Sequence, residues 1–464
     1  MKHLVTTLLP VWALVAGAVS AAPTTTTLSV SNTSPAYSDL VTLTSTTEDS
    51  SGAAASTGTV SFYEDGGILL QTVNITSGTA QWKQKFMAGQ HTVYAVFGGN
   101  GAFDTSTSAT VALNISPALA VPAMGVYLGL FAGSAQGATE EAAMEAREGP
   151  APTGIGRPFA LHGLYYSWKG LTQLVNAQGV FHPDASLAGD IAHGRVPVIG
   201  WACDLTGTDT DGVIAGGDPS EDANITASAK ALAQYPGPVL LRWFGEFNDV
   251  SGANQSCRGD SGKPTQQSYT DFIGAWQRIW QLFQSAGATN VLFAWNPGYY
   301  NPGASGNADP HEFYPGNTYV DWLALDSYQR SLTATFSQNF QPFYNDFSEP
   351  QYGGKPMLIG ENGSQNWSRN NQELQWTYLQ GLLSDVQSNL YPLLKAYSYF
   401  DSSGSAGSWV LDDNNGQGNG GLAAFSIVGA SPWFAPMPTG SSANPGKPGR
   451  AGRCPPRCTG GKGR

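Results

Sequence analysis

Eight short apolar segments, each followed by a longer stretch with helical character, constrain the fold of residues 124–437 more than any other feature. Largely continuous apolar runs are typical of parallel strands that are buried on both faces. Eight such strands alternating with helices over roughly 310 residues favour a (β/α)8 barrel, an α/β TIM barrel. The predicted strands are Val126–Phe131, Phe159–Tyr165, Val196–Trp201, Val239–Phe244, Val291–Trp295, Val320–Leu325, Pro356–Ile359 and Ala396–Phe400.

Four helices are predicted between these strands, at Glu140–Arg147, Asn224–Gln234, Tyr269–Ser285 and Gln372–Leu390. The last two place apolar residues on one face at helical spacing. A doubly wound open sheet is the structural alternative to the barrel. It would call for a glycine-rich phosphate-binding turn, and no G-x-G-x-x-G follows the first strand.

Residues 23–116 have a different composition, dominated by Thr, Ser, Val and Gly, without any Cys. Short runs with period-two alternation are separated by turn signals, which predicts about seven antiparallel strands in an all-β sandwich. The Thr-rich opening strand and the runs at 58–63 and 89–97 resemble bacterial immunoglobulin-like repeats. Such repeats are adhesive in some proteins and spacers in others. Trp82 and Tyr94 are candidates for a sugar-stacking face or for core packing.

The two ends of the chain predict processing and disorder. Residues 1–21 resemble an export signal, with Lys2 and His3, an apolar stretch from Leu4 to Val19, and small residues at the cleavage site. A retained membrane anchor is the alternative. Residues 117–123 are a candidate linker, and the Gly/Pro-rich basic tail at 438–464 is expected to be disordered. Its Cys454 and Cys458 are a local disulfide or an incidental pair.

The composition narrows the class of partner. Charged residues make up only 12% of the chain, and the formal net charge is −12, although the tail is basic. An acidic body repels nucleic acid and anionic membranes, but a neutral polysaccharide is unaffected. We therefore expect a secreted, extracellular monomer with a polysaccharide partner, and neither a nucleic-acid partner nor a membrane association after signal cleavage.

Glu246 and Glu361 stand at the carboxyl ends of predicted strands four and seven, where the working residues of such barrels lie. A carboxylate among aromatic residues is costly unless it is paired or used in chemistry. Two acids facing each other across a barrel mouth are what glycosidic cleavage requires, because one donates a proton and the other attacks the anomeric carbon. The alternative is structural, with Glu246 paired to Arg242 and Glu361 capping a turn.

Several segments together resemble the β-mannanase family, glycoside hydrolase family 26, in the same order along the chain. They are Gly156-Arg-Pro, Gly194-Arg-Val-Pro-Val, Leu241-Arg-Trp-Phe-Gly-Glu-Phe-Asn, Asn290-Val-Leu-Phe-Ala-Trp-Asn-Pro, the run from Tyr314 to Tyr328, Lys355-Pro-Met-Leu-Ile-Gly-Glu-Asn-Gly, Trp409-Val-Leu-Asp and Gly421-Leu-Ala-Ala-Phe. The resemblance covers residues 124–436.

The resemblance implies a retaining double displacement, with Glu246 as acid/base and Glu361 as nucleophile. It also implies that Tyr328 hydrogen-bonds the nucleophile, and that Asn248 and Arg242 keep the pattern flanking the acid/base. Asn248 and Tyr328 are accordingly candidate substrate-binding residues. Arg242 then either holds the carboxylates or supports the barrel. The family usually has His immediately before the acid/base, whereas this chain has Gly245, which bears on the substrate.

Further candidate substrate-binding residues are aromatic or polar side chains near strand ends. Each of them has core or rim packing as its alternative, and the candidates are Trp201, Trp295, Trp367, Trp409 and His162. Cys203 and Cys257 fall in neighbouring loops, where a disulfide is favoured over free thiols. The acidic loop at 204–222 lacks the full ligand spacing of a calcium site, and the His residues show no zinc spacing, so we expect neither metal nor cofactor.

Three functions remain open on the sequence. The first is an endo-β-1,4-mannanase that uses Glu246 and Glu361. The second keeps this pair but acts on β-1,3-xylan or a mixed-linkage β-glucan, which Gly245 favours because it opens room beside the acid/base. The third is a non-catalytic carbohydrate-binding or adhesion protein.

Overall fold

The computed structural model describes residues 21–35, 40–64, 66–84, 86, 89–115, 119–122, 124–133, 139–203, 210–250, 255–258, 263–302, 306–329, 331–365, 372–404, 407–411 and 420–435. These residues belong to two compact units that divide between Asn114 and Ile115. The predicted basic tail lies outside the described residues, as does the export segment apart from Ala21, and the linker is described only in part.

The first unit is an antiparallel β-sandwich, which confirms the predicted fold of this region. One sheet has the strand order β1-β2-β5 and the other the order β4-β3-β6-β7, with β8 beside β6. The buried side chains are the alternating ones, such as Val41 and Leu43. The strands are β1 (Thr24–Val30), β2 (Val41–Asp49), β3 (Thr59–Glu64), β4 (Ile68–Asn74), β5 (Thr79–Gln84), β6 (Gly89–Phe97), β7 (Ser106–Thr107) and β8 (Val111–Ile115).

The second unit is built on eight parallel strands that close into a barrel, which confirms the TIM-barrel prediction. Each strand pairs with the next along the chain, and the last pairs with the first. The strands are β9 (Val126–Ala132), β10 (Leu161–Tyr166), β11 (Val196–Trp201), β12 (Val239–Trp243), β13 (Val291–Trp295), β14 (Trp322–Asp326), β15 (Met357–Asn362) and β16 (Leu394–Asp401). The short segments β17 (Ser403–Gly404) and β18 (Gly407–Ser408) form a small hairpin, and β19 (Phe434–Ala435) pairs with β9.

Helices follow most of the barrel strands. The α-helices are α1 (Glu140–Glu148), α2 (Ala185–His193), α3 (Thr210–Ala215), α4 (Pro219–Leu232), α5 (Gln255–Arg258), α6 (Gln266–Ser285), α7 (Phe336–Phe347), α8 (Gln372–Gln387) and α9 (Gly421–Ala430). The longest, α6, begins with a reciprocal capping box in which Thr265 and Ser268 satisfy each other's backbone N–H groups. None of the described helices has the length and apolar character needed to cross a bilayer.

Alternation along each barrel strand decides which side chains face the barrel interior. On β12, Arg242 points inward, where it reaches residues of β14 and β15. Its neighbour Trp243 therefore points outward, and its ring stacks on Phe272 of α6 at a centroid distance of 5.5 Å. The same rule separates site residues from packing residues on other strands wherever the pairing is regular.

Candidate active site

Arg242 lies at the centre of the carboxyl-terminal mouth of the barrel and bridges two acidic side chains. Its Nη1 donates to Asp326 Oδ1 at 2.8 Å, and its Nη2 donates to Glu361 Oε1 at 3.1 Å. The Arg242 side chain is only 2% exposed. A guanidinium buried in this way requires compensating charge, and the two carboxylates supply it. Arg242, on β12, therefore fixes the positions of residues from two other strands, β14 and β15.

A β-bulge directs Glu361 toward the mouth. A side chain at Gly360 would lie 2.5 Å from Arg242 Nη1, so position 360 faces the barrel interior. Strict alternation would turn the next residue outward. However, the pairing of β14 with β15 shifts at this point, from Leu325 opposite Ile359 to Asp326 opposite Glu361. Such irregularities re-aim side chains next to active sites, and here two successive residues face inward.

Glu361 is held at both carboxylate oxygens. Tyr165 donates to Oε1 at 2.5 Å, beside Arg242, and Tyr328 donates to Oε2 at 2.7 Å. Burial by itself raises the pKa of Glu361, but the Arg242 charge and the hydrogen bonds from Tyr165, Tyr328 and Arg242 outweigh it, so that the pKa is lowered. The side chain keeps 16% exposure. Glu361 is thus an ionised carboxylate that remains open to the mouth.

Asp326 binds the same guanidinium as Glu361, but its pKa is shifted in the opposite direction. It is almost completely buried. Burial raises the pKa of Asp326 well above its usual range, and the negative charges of Glu361 and Glu246 add to this shift against the effect of Arg242. Where the two acids on Arg242 compete for one proton, the proton goes to Asp326 and leaves Glu361 charged.

Glu246 approaches from the loop that follows β12. Its backbone N–H donates to Asn296 O at 2.9 Å, and its Oε1 lies 3.3 Å from where a side chain at Gly298 would begin. Phe244 and Glu246 both adopt positive φ values, 49° and 57°, which are costly for residues other than glycine. Strained backbone of this kind concentrates at active sites. The negative charges of Glu246 and Glu361 both raise the pKa of Asp326.

Trp201 and Trp295 do not lie in the mouth, which corrects the expectation that they stack on sugars. Position 200 faces inward, since a side chain there would lie 2.7 Å from the Tyr165 ring, and Trp201 therefore points outward. It is fully buried and stacks on Trp168 at 4.4 Å. Trp295 is also fully buried and packs on Phe247 at 5.1 Å. Both side chains belong to the layer between strands and helices.

His162 and Asn248 are also fully buried, which corrects the expectation that they bind substrate. His162 Nδ1 lies 2.8 Å from Asp190 Oδ1, behind the barrel wall. The Asn248 side chain accepts a hydrogen bond from the Gly298 backbone N–H at 2.7 Å and donates to Ala308 O at 3.4 Å. Asn248 thus ties the segments after β12 and β13 together, and its polar atoms are occupied by the protein itself.

Trp409 does lie at the mouth, beside Tyr328, which binds Glu361. Its ring is 4.3 Å from that of Tyr328, and it is 5% exposed. Gly363 makes room for it, since a side chain there would lie 2.7 Å from Trp409 Cβ. The buried Trp409 Nε1 has no hydrogen-bond acceptor within the described part of the chain. A ligand at this position could accept that hydrogen bond. Trp367 lies outside the described residues.

Two cysteines join loops of the barrel. Cys203, after β11, is disulfide-bonded to Cys257 in α5, with a Cα–Cα distance of 5.5 Å. The bond links two segments that follow neighbouring strands. It lies on the same end of the barrel as the acidic residues.

Two groups of acidic and histidine side chains are spaced closely enough to hold a metal ion. They are Glu141 with His162 and Asp190, and Glu141 with Glu145 and His193. In the first group, Arg195 donates to Glu141 at 2.9 Å and to Asp190 at 3.3 Å. The positive charge that these carboxylates need is therefore supplied by the Arg195 guanidinium. In the second group, Glu145 and His193 are exposed. Neither group lies at the mouth, and we assign a metal to neither.

Three residues of the mouth were not among the sequence candidates: Tyr165, Asn296 and Asp326. Each stands at or next to the carboxyl end of a barrel strand, which is the signal that could have identified them. The signal is weak because only half of the residues at strand ends face inward. Asp326 and Asn296 both accept hydrogen bonds from Arg242 Nη1, which lies 3.3 Å from Asn296 Oδ1.

The second unit is therefore a TIM barrel whose mouth holds two glutamates and an arginine-bound aspartate. In the first unit, residues 28–116 match the bacterial Ig-like domain (group 3) family, which confirms the resemblance of this region. The chain is 30% identical over 144 residues to Endoglucanase H of Acetivibrio thermocellus, a match that covers 30% of this chain and 15% of that protein. The chain thus spans only a small part of the length of that relative.

Solved structures similar to the chain include two mannanases. One is a double mutant of the endo-β-1,4-mannanase of Cellulomonas fimi, with 17% identity, a TM-score of 0.48, and coverage of 69% of this chain and 74% of that one. Another is a family 26 β-mannanase from Bacteroides ovatus, with 18% identity, a TM-score of 0.44, and coverage of 68% and 90%. The chain is similar in sequence and structure to glycoside hydrolases.

Proposed function

We propose that this protein is a retaining glycoside hydrolase that cleaves a β-linked polysaccharide. The observation that carries the proposal is the state of Glu361, a carboxylate kept ionised by Arg242, Tyr165 and Tyr328 yet open to the mouth. A nucleophile must be charged and accessible, and Glu361 satisfies both conditions. We assign the acid/base role to Glu246, which follows β12 and lies close enough to Asp326 for its negative charge to raise the pKa of that carboxyl.

The proposed reaction has two steps. In the first, Glu361 attacks the anomeric carbon, and the bond to the leaving oxygen breaks as Glu246 gives that oxygen its proton. In the second, Glu246 takes a proton from water, and the oxygen of that water displaces Glu361 from the sugar. Two inversions return the original configuration. Arg242 holds Glu361 in place during both steps and partly neutralises the negative charge of the acidic side chains at the mouth.

β-1,4-Mannan is the substrate we propose first, since the resemblance of the barrel is to β-mannanases. A mixed-linkage β-glucan is the second candidate, and a β-1,3-xylan the third. Gly245 favours these alternatives, because a side chain there would begin 3.9 Å from Asn296 Nδ2 and Asp326 Oδ2, which leaves room beside the acid/base. The Acetivibrio relative, Endoglucanase H, also points to glucans by its name. The net charge of −12 suits a neutral glycan.

We also propose that the protein is exported. The apolar segment within residues 1–21 supports this, and so does the Cys203–Cys257 disulfide, because disulfides persist in oxidising compartments.

The test is hydrolysis of galactomannan, mixed-linkage β-glucan and β-1,3-xylan by wild-type protein and by Glu246→Gln and Glu361→Gln. Each change should lower the release of reducing ends by at least about 100-fold, as expected when an acid/base or nucleophile is lost. Glu349→Gln is the matched control, because Glu349 is exposed and precedes β15, at the opposite end of the barrel. It should leave the rate unchanged.

Rescue by azide assigns the two roles. With an aryl glycoside that needs no proton, azide should restore turnover of Glu246→Ala and give a glycosyl azide of retained configuration. With Glu361→Ala, azide should give the inverted product from a glycosyl fluoride. Binding of all three glycans without any hydrolysis would instead support the non-catalytic alternative. Undiminished hydrolysis by both Gln variants would remove the proposed mechanism.

A further inference from the structure

Tyr165 differs from the other large aromatic residues of the barrel strands in being exposed while its hydroxyl binds two charged groups. Its exposed fraction is 45%, whereas Trp201, Trp243 and Trp295 are fully buried. On the basis of the proposed function, we propose that Tyr165 has two roles in the reaction. Its hydroxyl positions the Glu361 nucleophile, and its ring forms part of the surface that contacts the sugar.

The hydroxyl belongs to a closed triangle of polar atoms. Tyr165 donates to Glu361 Oε1 at 2.5 Å, Arg242 Nη2 donates to the same oxygen at 3.1 Å, and Arg242 Nη2 also donates to the Tyr165 oxygen at 3.3 Å. Tyr328 holds the other oxygen, Oε2. A carboxylate that is anchored at both oxygens cannot rotate. Tyr165 therefore restricts Glu361 to one orientation while it stabilises its negative charge.

The ring is fixed from the protein side and open on the other. Phe131 packs edge-to-face on it at a centroid distance of 5.0 Å. The backbone of Gly200 lies close to the ring, since a side chain at that position would be 2.7 Å from Tyr165 Cδ1. The exposed part of the Tyr165 ring therefore faces the mouth, beside Glu361. An aromatic ring at that place offers an apolar face to a sugar whose anomeric carbon Glu361 attacks.

Tyr166 provides a matched control. It is the next residue along β10 and points to the opposite face, where its hydroxyl donates to the carboxylate of Asp184 at 2.6 Å. Tyr165→Phe and Tyr166→Phe thus each remove one hydroxyl that binds a carboxylate. Only the first removes it from the nucleophile. A purely structural role for the tyrosine hydroxyls would give the two variants similar properties.

The hydroxyl role is tested by steady-state kinetics on the glycan that wild-type protein hydrolyses best. Tyr165→Phe should lower kcat about 10- to 100-fold, as expected for loss of a hydrogen bond to a charged group, with KM changed less than about twofold. The ascending limb of its kcat/KM profile should move to higher pH, because Tyr165 is one of the groups that lower the pKa of Glu361. Tyr166→Phe should match wild type in both respects.

The ring role is tested by Tyr165→Ala, compared with Tyr165→Phe. Loss of the ring should raise KM by at least about fivefold beyond the phenylalanine variant, because an apolar contact with the sugar is lost. Gly200→Ala keeps the tyrosine but pushes against its ring, so it should lower kcat while the hydroxyl is still present. Circular dichroism and thermal unfolding would verify that each variant is folded.

Two outcomes would overturn the proposal on its own. One is an active wild-type enzyme whose kcat and pH profile are unchanged by Tyr165→Phe, and the other is equal KM values for the Phe and Ala variants. A 2-deoxy-2-fluoro glycoside with a good leaving group distinguishes failure of the Tyr165 proposal from failure of the proposed function. Labelling of Glu361 in wild-type protein would support the nucleophile assignment. Absence of both labelling and hydrolysis would overturn the proposed function and the role of Tyr165 together.

Discussion

At the scale of single residues, the tightest constraint on the candidate site is a glycine. Gly360 faces the interior between the groups that position Glu361. A side chain there would begin 2.5 Å from Arg242 Nη1 and from Asn296 Oδ1, and 2.7 Å from Asp326 Oδ1. The arginine and the two acids that it bridges can approach one another only because position 360 has no side chain.

Gly360→Ala should therefore disrupt the site. The added methyl group must displace charged atoms that are already hydrogen-bonded, so we expect a loss of about 1–3 kcal/mol in the free energy of unfolding. Activity should fall at least about 100-fold because Glu361 and Arg242 move apart. Gly381→Ala in α8 is the control, since no atom lies within 4 Å of the new methyl group. It should keep full activity and gain up to about 1 kcal/mol. Wild-type activity in Gly360→Ala would contradict this account.

At the scale of elements, a buried histidine joins β10 to the first two helices. His162 Nδ1 lies 2.8 Å from Asp190 of α2, and its Nε2 lies 3.5 Å from Glu140 of α1. Arg195, before β11, binds Glu141, Glu148 and Asp190 in the same region. Burial lowers the pKa of His162, but the hydrogen bond to Asp190 and the negative charges of Asp190 and Glu140 outweigh it and raise the pKa to about 9. The protonated imidazolium therefore holds the two helices to the strand.

The pH dependence of stability should report this histidine. The folded-state pKa of about 9 lies above the ordinary value of 6.5, so the imidazolium stabilises the fold fully below pH 6.5. This contribution, about 3 kcal/mol from the difference in pKa, should be lost as the pH rises from 6.5 through 9. Denaturant unfolding of wild type should show this decline, and His162→Gln should lack it. His182→Gln, at an exposed position, should behave as wild type does. Equal slopes for wild type and His162→Gln would refute the assignment.

At the scale of the whole molecule, the chain has two separate hydrophobic cores. Phe62 belongs to the sandwich, where it is fully buried on β3. Phe293 belongs to the barrel, where it is packed against Trp276 and Phe283 of α6. Each core is closed by strands of its own unit, so each unit has its own source of stability.

Calorimetry should accordingly resolve two unfolding transitions. Phe62→Ala should lower the free energy of unfolding of the sandwich alone, by about 3–5 kcal/mol, so that only its transition moves to lower temperature. Glycan hydrolysis should be unchanged. Phe293→Ala should lower the free energy of unfolding of the barrel alone and reduce hydrolysis. A single transition that moves with either variant would show instead that the units unfold together.

The sequence by itself determined the architecture, and it singled out Glu246 and Glu361 as the candidate catalytic acids. The continuous apolar runs of the barrel and the period-two runs of the sandwich are local signals, so eight barrel strands could be predicted close to their observed bounds. About seven sandwich strands were predicted and eight are observed, and β4 has a weak pattern because it exposes Leu69 and Gln71. Glu246 and Glu361 could be singled out because each is an acidic residue at the carboxyl end of an apolar strand.

Only the tertiary structure decided which residues near the strand ends face the mouth. A shift of one residue in strand register turns every following side chain to the opposite face, and no local pattern records that shift. The bulge at Gly360 and Glu361 therefore could not be predicted, nor could the inward orientation of Tyr165 and Asp326. For the same reason Trp201 and Trp295, which end their strands, proved to be packing residues, because orientation depends on how neighbouring strands pair.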